Sequence, residues 1–271
     1  MGISTIVDED GVAEIVIDCP PVNALTVAGW FDLARAVTAA GQDANTRVVV
    51  LRSEGKGFNA GVDIKEMQNT AGFDALIGAN KGCFAAFAAV YDCAVPVIAA
   101  VNGFCVGGGI GLVGNADIII AGDDAYFGLP EVDRGALGAA THLSRLVPQH
   151  KMRAMVYTAA TATAAELHHY GSVLQVVPRG ELRNAAMVVA HSIAAKSPTV
   201  MRAAKECLNG IDPWDVKRSY RFEQGFTFEL NLSGVADELR DGFAGTEKSA
   251  GKPAGQAAGT TAGMTKGGGG R

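Results

Sequence analysis

Short apolar runs recur along the first two thirds of the chain and are separated by stretches with helical spacing. Alternating positions over Ser4–Val7 and Val12–Asp18, joined by the Asp10-Gly11 turn, predict an opening β-hairpin. More continuous apolar runs are typical of strands buried on both faces. They predict strands at Val48–Leu51, Val95–Val101, Ile118–Ala121 and Val173–Val177, and a short extended segment at Tyr126-Phe127.

Helical patterns lie between these strands and dominate the end of the chain. Thr26 is placed to cap a helix that stops at Gly41, and a second helix is predicted from about Phe73 to Val90. Longer amphipathic segments cover Glu181–Ala195 and Pro213–Leu232. The order of elements predicts an α/β fold of successive crossover units, followed by a mostly helical region.

The stretch Val95–Val113 has no charged residue, and its length meets a crude criterion for a membrane helix. It contains Pro96, Asn102 and five glycines, which form helices poorly. A buried strand, a turn and a buried helix therefore fit better, and no membrane segment is expected.

Composition bounds the size and setting of the protein. With 271 residues, of which 48% are hydrophobic, the chain is long enough for one large core and a helical appendage. We expect a core over residues 1–196 and a C-terminal helical region over 197–248. Residues 249–271 are rich in Gly, Ala, Thr and Lys without an apolar period, which predicts a disordered tail.

Charge and cysteine usage narrow the possible partners. The formal net charge of -5 argues against nucleic acid as the main partner. Five widely spaced cysteines without a CxxC pair suggest neither a disulfide framework nor a metal site. No export signal is visible at the start of the sequence, so a reduced, cytoplasmic protein is expected.

Five glycines crowd the start of the helix that should follow Asn102-Gly103. Close packing would explain Gly111 and Gly114, whereas Gly107–Gly109 favour a helix start whose free N–H groups bind negative charge. Residues 109–114 also spell G-x-G-x-x-G, which suggests a dinucleotide-binding oxidoreductase as an alternative. That fingerprint should directly end a strand, but residues 102–106 intervene here.

Three segments together resemble the enoyl-CoA hydratase/isomerase (crotonase) family: Phe58–Met67, Pro96–Gly109 and Phe127–Glu131. The resemblance implies a spiral of ββα units with a C-terminal helical region that builds a homotrimer or a dimer of trimers. It implies an acyl-CoA substrate, in which coenzyme A is part of the substrate and no other cofactor is needed. It also implies an oxyanion hole at the backbone N–H groups of Val62 and Gly108, and contacts to coenzyme A from Ala60, Gly61, Asp63, Ile64 and Lys65.

One departure from the family pattern bears on the reaction. Hydratases of the family use two glutamates, and Gly111 stands at the first of these positions while Glu131 stands at the second. Hydration of a double bond needs both a base and an acid, so Glu131 alone favours a different reaction. The absence of a side chain at Gly111 is interpreted as space for a bulky acyl ring, with Arg134 and His142 as further candidates for the acyl pocket.

Other segments resemble one subgroup of the family, the actinobacterial acyl-CoA hydrolases of steroid degradation. The segments are Gly103–Asn115, Arg134–Leu146 and Tyr220–Leu230. This resemblance implies hydrolysis of a ring C–C bond next to a ketone in a bicyclic, CoA-linked fragment of cholesterol. Two alternatives stay open: an enoyl-CoA hydratase/isomerase of fatty-acid oxidation, and a non-catalytic CoA-binding scaffold.

Overall fold

The computed structural model describes residues 2–240 of the chain. The strands are β1 (Gly2–Val7), β2 (Val12–Asp18), β3 (Val48–Ser53), β4 (Val97–Val101), β5 (Phe104–Val106), β6 (Ile118–Gly122), β7 (Tyr126–Gly128), β8 (Thr161–Thr163) and β9 (Gln175–Val177). The α-helices are α1 (Val27–Gln42), α2 (Ile64–Asn69), α3 (Asp74–Tyr91), α4 (Gly108–Val113), α5 (Ala140–Leu143), α6 (Gln149–Thr158), α7 (Ala164–His169), α8 (Leu182–Ala194), α9 (Pro198–Gly210) and α10 (Val216–Leu232). The predicted tail at 249–271 and the end of the predicted C-terminal region lie outside the described residues.

Six strands form the main sheet in the order β1-β2-β3-β4-β6-β9. The predicted hairpin of β1 and β2 is antiparallel, and every later neighbour in this sheet pairs in parallel. A smaller sheet has the order β5-β7-β8. The chain passes from β4 to β5 and from β6 to β7 before it enters a helical segment, which gives the expected spiral of ββα units.

The inner strands β2, β3, β4 and β6 are buried on both faces, which explains their continuous apolar runs. On one face, Val49, Leu51 and Ala99 belong to a core that also includes residues of α1 and α3. On the other face, Val50 and Ile98 pack against the alanines of α8. Helix α3 therefore lies against the sheet core along one side, and its remaining residues are available to line a cavity.

The uncharged stretch Val95–Val113 forms β4, β5 and α4, so the prediction of a strand, a turn and a buried helix is confirmed. Strand β5 has no counterpart among the elements that the sequence predicts, because its three residues fall between the predicted strand and the glycine cluster. Within residues 2–240, no helix is both long and apolar enough to cross a membrane.

Helix α10 returns across the molecule and packs on the segment that precedes α5. Thr227 accepts a hydrogen bond from the Leu137 backbone N–H at 3.2 Å, and its hydroxyl donates to the Leu137 carbonyl at 2.9 Å. The buried side chain of Gln224 donates to the Asn80 carbonyl of α3 at 2.8 Å. The C-terminal helix thus contacts both elements that flank the central cavity described below.

Candidate active site

A cavity of about 150 Å³ lies between the start of α4, helix α3, the loop before α2 and helix α10. We call it the central cavity. The residues that line it are Ala60, Gly61, Val62, Ile64, Met67, Leu76, Ala79, Asn80, Cys83, Phe87, Gly108, Glu131, Arg134, Ala136, Leu137, Gly138, Ala139, Tyr220, Thr227, Asn231 and Arg240. Most of these side chains are apolar, and Glu131 is the one carboxylate among them, as expected for a site that separates a reaction from water.

The loop before α2 is fixed by the buried side chain of Asn59. Its Oδ1 accepts a hydrogen bond from the Gly61 N–H at 2.8 Å, and its amide nitrogen donates to the Asn23 carbonyl at 2.5 Å. The Asn59 carbonyl accepts a bond from Val106 at 3.0 Å, which ties this loop to β5. Gly61 adopts a φ of 86°, a conformation that side chains disfavour, so the chain turns sharply there.

Val62 is held in a short parallel bridge to Leu25. In this bridge the Leu25 N–H donates to the Gly61 carbonyl and the Asp63 N–H donates to the Leu25 carbonyl, both at 2.9 Å. Successive N–H groups of an extended chain point in opposite directions, so the Val62 N–H points away from Leu25. Val62 itself lines the central cavity.

Gly108 lies directly beside this loop. It is the first residue of α4, so its N–H has no acceptor within the helix. A Cβ at Gly61 would lie 3.1 Å from the Gly108 nitrogen, and a Cβ at Gly108 would lie 2.7 Å from the Trp30 ring. The lack of side chains at both glycines is what allows the two backbones to approach.

Glu131 lies on a 3-10 helix, Pro130–Arg134, that ends at Gly135 with a left-handed φ of 66°. Its carboxyl group packs between two glycines. A Cβ at Gly107 would lie 2.5 Å from Oε1, and a Cβ at Gly138 would lie 2.6 to 2.9 Å from the three carboxyl atoms. Gly107 and Gly138 therefore form a slot for this carboxyl group, because a side chain at either position would overlap with it.

The electrostatic environment of Glu131 favours the protonated acid. Oε2 is buried, and within residues 2–240 it has no hydrogen-bond partner. Burial raises the pKa of Glu131 to about 7, while its own backbone N–H and Arg134 act in the opposite direction and Glu223 acts in the same direction. A carboxyl group with a pKa near neutrality is suited to take up and release a proton.

The structure corrects the interpretation of Gly111. A Cβ at Gly111 would overlap with the ring of Phe87, and Phe87, not Gly111, lines the central cavity. The space that a glutamate side chain would need is thus filled by an aromatic ring from α3. The glycine serves packing, and the wall of the cavity at this point is Phe87.

His142 was also expected near the acyl pocket, and the structure places it behind the wall instead. The ring of His142 stacks against Phe87 and Tyr220, with centroids 5.1 and 5.0 Å away. It is 1% exposed, and both ring nitrogens lack a hydrogen-bond partner within the described residues. Burial lowers the pKa of His142 to about 3, so the ring is neutral. We call Phe87 and Tyr220 the aromatic wall of the cavity, and His142 packs against this wall from outside.

The other predicted site residues divide into two groups. Ala60, Gly61, Ile64 and Arg134 line the central cavity. Asp63 and Lys65 lie outside its lining. The Asp63 carboxylate caps α2 by accepting a bond from the Lys65 N–H at 2.9 Å, and the Lys65 side chain is exposed.

Several lining residues had no prediction from the sequence. Phe87 and Cys83 come from α3, and Tyr220 and Thr227 come from α10. Tyr220 and Thr227 fall in the segment Tyr220–Leu230, whose resemblance to the steroid-degradation subgroup was the available signal. All five cysteines are free thiols, and no cluster of metal-binding side chains occurs within residues 2–240.

Known proteins resemble this chain over most of its length. A protein of Rhodococcus jostii (strain RHA1), named (7aS)-7a-methyl-1,5-dioxo-2,3,5,6,7,7a-hexahydro-1H-indene-carboxyl-CoA hydrolase, is 66% identical over 248 residues, which cover 92% of this chain and 96% of that protein. A Mycobacterium tuberculosis (strain ATCC 25618 / H37Rv) protein of the same name is 68% identical over 243 residues, covering 90% of this chain and 98% of that protein.

The fold has close counterparts among solved structures. The crystal structure of carnitinyl-CoA hydratase from Mycobacterium avium superposes with a TM-score of 0.79 at 29% identity and covers 90% of this chain and 96% of that chain. The family model described as enoyl-CoA hydratase/isomerase matches residues 8–225. This match leaves no place for the dinucleotide-binding alternative. The chain therefore belongs to the enoyl-CoA hydratase/isomerase, or crotonase, family.

Proposed function

We propose that the protein is an acyl-CoA hydrolase that opens a ring by cleaving a C–C bond next to a ketone. The proposed substrate is a bicyclic, CoA-linked intermediate of steroid degradation. The observation that carries this proposal is that Glu131 is the one carboxylate among the described residues that line the central cavity, while Phe87 fills the place of a second one. The names of the two relatives at 66% and 68% identity support the same substrate class.

In the proposed reaction, the N–H groups of Val62 and Gly108 bind the thioester oxygen. Water adds to the ring ketone, the adjacent C–C bond breaks, and the electron pair moves through a conjugated double bond onto the thioester. Negative charge then develops on the thioester oxygen, next to two backbone donors in a mostly apolar cavity. Such donors are typically worth about 3 kcal/mol each in the transition state.

Glu131 is proposed to carry the proton. The ionised carboxyl group takes a proton from the attacking water, and the acid then gives a proton to the carbon that was expelled. The ketone becomes a carboxylate after it releases the remaining hydroxyl proton, and Glu131 returns to its starting state. A pKa of about 7 lets the same group accept the proton and later donate it.

The aromatic wall is proposed to select a ring-shaped acyl group. Phe87 and Tyr220 present flat apolar surfaces to the cavity and contact each other with ring centroids 5.1 Å apart. Arg134 and Arg240 lie at the same cavity and offer hydrogen-bond donors for ketone oxygens. The segment 60–65 is proposed to contact coenzyme A, with Lys65 near phosphate.

We further propose a cytoplasmic homo-oligomer, a trimer or a dimer of trimers. Trp214, Phe222 and Phe226 are 44%, 71% and 42% exposed in the single chain, and Phe222 and Phe226 stack on one side of α10. Exposed aromatic residues on one helical region favour burial in a subunit interface. Light scattering on the full chain tests this proposal, because a monomer at micromolar concentration would contradict it.

The reaction is tested by supplying three CoA esters to the purified protein: crotonyl-CoA, a 3-enoyl-CoA and a bicyclic diketone-CoA. We expect the bicyclic ester to gain one water in mass, and in H₂¹⁸O we expect the label in the new carboxylate. The Glu131→Gln variant is the matched control for background hydrolysis. Hydration of crotonyl-CoA or isomerisation of the 3-enoyl ester without ring opening would overturn the proposal in favour of hydratase or isomerase chemistry. Absence of all three reactions would favour a CoA-binding scaffold.

A further inference from the structure

A second buried glutamate, Glu223, lies on α10 outside the lining of the central cavity. It is 9% exposed and points at the start of α5. Its carboxyl oxygens accept hydrogen bonds from the backbone N–H groups of Ala140 and Thr141 at 2.7 and 3.0 Å. They also accept a bond from the Thr141 hydroxyl at 2.9 Å. Glu223 thereby satisfies the first two N–H groups of α5, whose own N-cap residue Ala139 offers no side-chain acceptor.

These bonds fix the segment that forms one side of the Glu131 slot. Gly138 lies two residues before Ala140 and packs against the carboxyl group of Glu131. Thr227, one helical turn after Glu223, holds Leu137 by two further hydrogen bonds. Residues 137–141 are thus attached to α10 at both ends of Gly138, and a displacement of α10 would open the slot to water.

We propose that Glu223 is a positioning residue for Glu131. Through its bonds to Ala140 and Thr141 it holds Gly138 against the Glu131 carboxyl group, and so keeps closed the slot in which Glu131 takes up and releases its proton. This inference rests on the proposed role of Glu131 as the proton carrier. It gives the C-terminal helix a part in the chemistry of a site where Gly111 stands in place of a second glutamate.

The charged and titratable groups around Glu131 support this assignment. Arg134, on the same 3-10 helix, stabilises the ionised carboxylate. Cys83 of α3 and Tyr220 of α10 also interact with Glu131, and burial keeps the pKa of each above its ordinary value, so both are neutral near pH 7. Glu223 is the acidic group that opposes Arg134 and raises the pKa of Glu131. Burial raises the pKa of Glu223 itself, and its bonds from Thr141 and Ala140 act in the opposite direction by stabilising its ionised form.

The test measures the titration of Glu131 directly, by ¹³C NMR of carboxyl-labelled glutamate, in wild type and Glu223→Gln. The Glu131 resonance is assigned by its loss in Glu131→Gln. We expect the titration midpoint in Glu223→Gln to move down by roughly one pH unit, as the loss of a nearby like charge predicts. The lower limb of the pH profile of kcat should move in the same direction, with little change in KM.

Two further variants separate positioning from general effects. Glu229→Gln removes an exposed carboxylate from the same helix and should leave the Glu131 titration unchanged. Thr141→Val deletes one of the three bonds to Glu223 and keeps every charge, so it should lower the midpoint less than Glu223→Gln. This variant also serves as the test if Glu223→Gln does not fold.

An unchanged midpoint in the folded Glu223 or Thr141 variant would overturn the inference, and so would an equal shift in Glu229→Gln. The inference and the proposed function fail separately. If the bicyclic ester is not opened, the proposed function is wrong, while the NMR titration still reports the coupling of Glu223 to Glu131. If the ester is opened and the titration does not move, only the role of Glu223 is wrong.

Discussion

Two glutamates have opposite environments: Glu14 lies on the α8 face of the main sheet, and Glu131 lies in the central cavity. On the α8 face, Glu14 accepts hydrogen bonds from Arg52 at 2.7 Å and from Arg183 at 2.5 and 2.8 Å. Glu131 has a buried oxygen that finds no hydrogen-bond partner in the described part of the chain. Burial raises the pKa of both groups, but at Glu14 the bonds to Arg183 and Arg52 outweigh it and the net pKa is lowered.

The difference separates the structural carboxylate of Glu14 from that of Glu131, which is proposed to act in the chemistry. A buried charge that is paired on both oxygens stays ionised at neutral pH and holds two strands and a helix together. A buried carboxyl group without such partners changes its protonation near neutral pH, at a cost in stability. Strong perturbation of a pKa by burial, in a cavity, marks the second kind of site.

The largest expected effect comes from adding a second carboxylate beside the central cavity, at position 111. Gly111→Glu places a buried acid without an arginine partner, and its Cβ overlaps with Phe87. We expect the free energy of unfolding to fall by about 3 kcal/mol or more, or folding to fail. Urea denaturation followed by circular dichroism measures the change.

The double variant Gly111→Glu/Phe87→Ala tests whether the loss in the free energy of unfolding comes from steric overlap with Phe87 or from the buried carboxylate. Removal of the Phe87 ring leaves room for the new side chain, so part of the lost stability should return relative to Gly111→Glu. Wild-type stability in Gly111→Glu alone would show that Phe87 yields easily, and that the aromatic wall is not a fixed feature of the cavity.

Glu131→Gln should lower turnover of the bicyclic ester at least about a hundredfold, since general acid–base groups typically contribute that much. Stability should move the other way. Between pH 4.5 and about 7 the folded protein binds a proton at Glu131 that the unfolded chain has released, so wild-type stability falls as the pH rises through this window. The variant removes this loss, and we expect it to be about 1–3 kcal/mol more stable than wild type at pH 8 but not at pH 4.5.

Stopped-flow or mass-based turnover and thermal unfolding at the two pH values check both parts. Near-normal turnover would remove Glu131 from the proposed mechanism. A loss of stability at pH 8 would show that the carboxylate makes favourable contacts that outweigh its burial.

Glu14→Gln should have the reverse outcome. It leaves the central cavity untouched, so kcat should stay within about twofold, whereas stability at pH 7 should fall by about 2 kcal/mol because two arginines lose their common partner. The pKa of Glu14 is lowered, so its contribution is fully present above pH 4.5 and is lost as the pH falls through its folded pKa.

An exposed ion pair provides the matched control for this variant. Asp32 and Arg35 form a bridge with side chains 51% and 70% exposed, so Asp32→Asn should change stability by less than about 0.5 kcal/mol. If Glu14→Gln and Asp32→Asn lose the same free energy of unfolding, burial of the Glu14 ion pairs adds nothing to stability.

The sequence was sufficient for the elements that follow local rules. Thr26 caps α1 by accepting a bond from the Gly29 N–H, and the apolar runs became β3, β4 and β6. The three-residue strands β5 and β8 carry no readable period, since their pairing depends on β7 from elsewhere in the chain.

The candidate site was predictable where its residues fall in segments that resemble the family. Val62, Gly108 and Glu131 fall in segments with a family resemblance, and all three line one cavity. Gly111 was misread because a glycine indicates missing volume but does not tell which neighbour fills it. Phe87 fills it from another helix, and the contact between Glu223 and Thr141 likewise joins parts of the chain that no local pattern connects.

The smallest expected effect concerns His142, which stands behind the aromatic wall. Burial lowers its pKa to about 3 from 6.5, so between these values the unfolded chain binds a proton that the folded protein does not. This contribution is fully present above pH 6.5 and is lost as the pH falls through the window. His142→Leu removes this pH dependence, together with two ring nitrogens that have no hydrogen-bond partner within residues 2–240. The free energy of unfolding of the variant relative to wild type should therefore be about 1 kcal/mol higher at pH 5 than at pH 8. Thermal unfolding at both pH values measures the gain, with exposed His150→Gln as the control. If the variant stays folded but loses activity on the bicyclic ester, the His142 ring shapes the Phe87 and Tyr220 wall directly. Residues outside the cavity lining would then also affect the reaction.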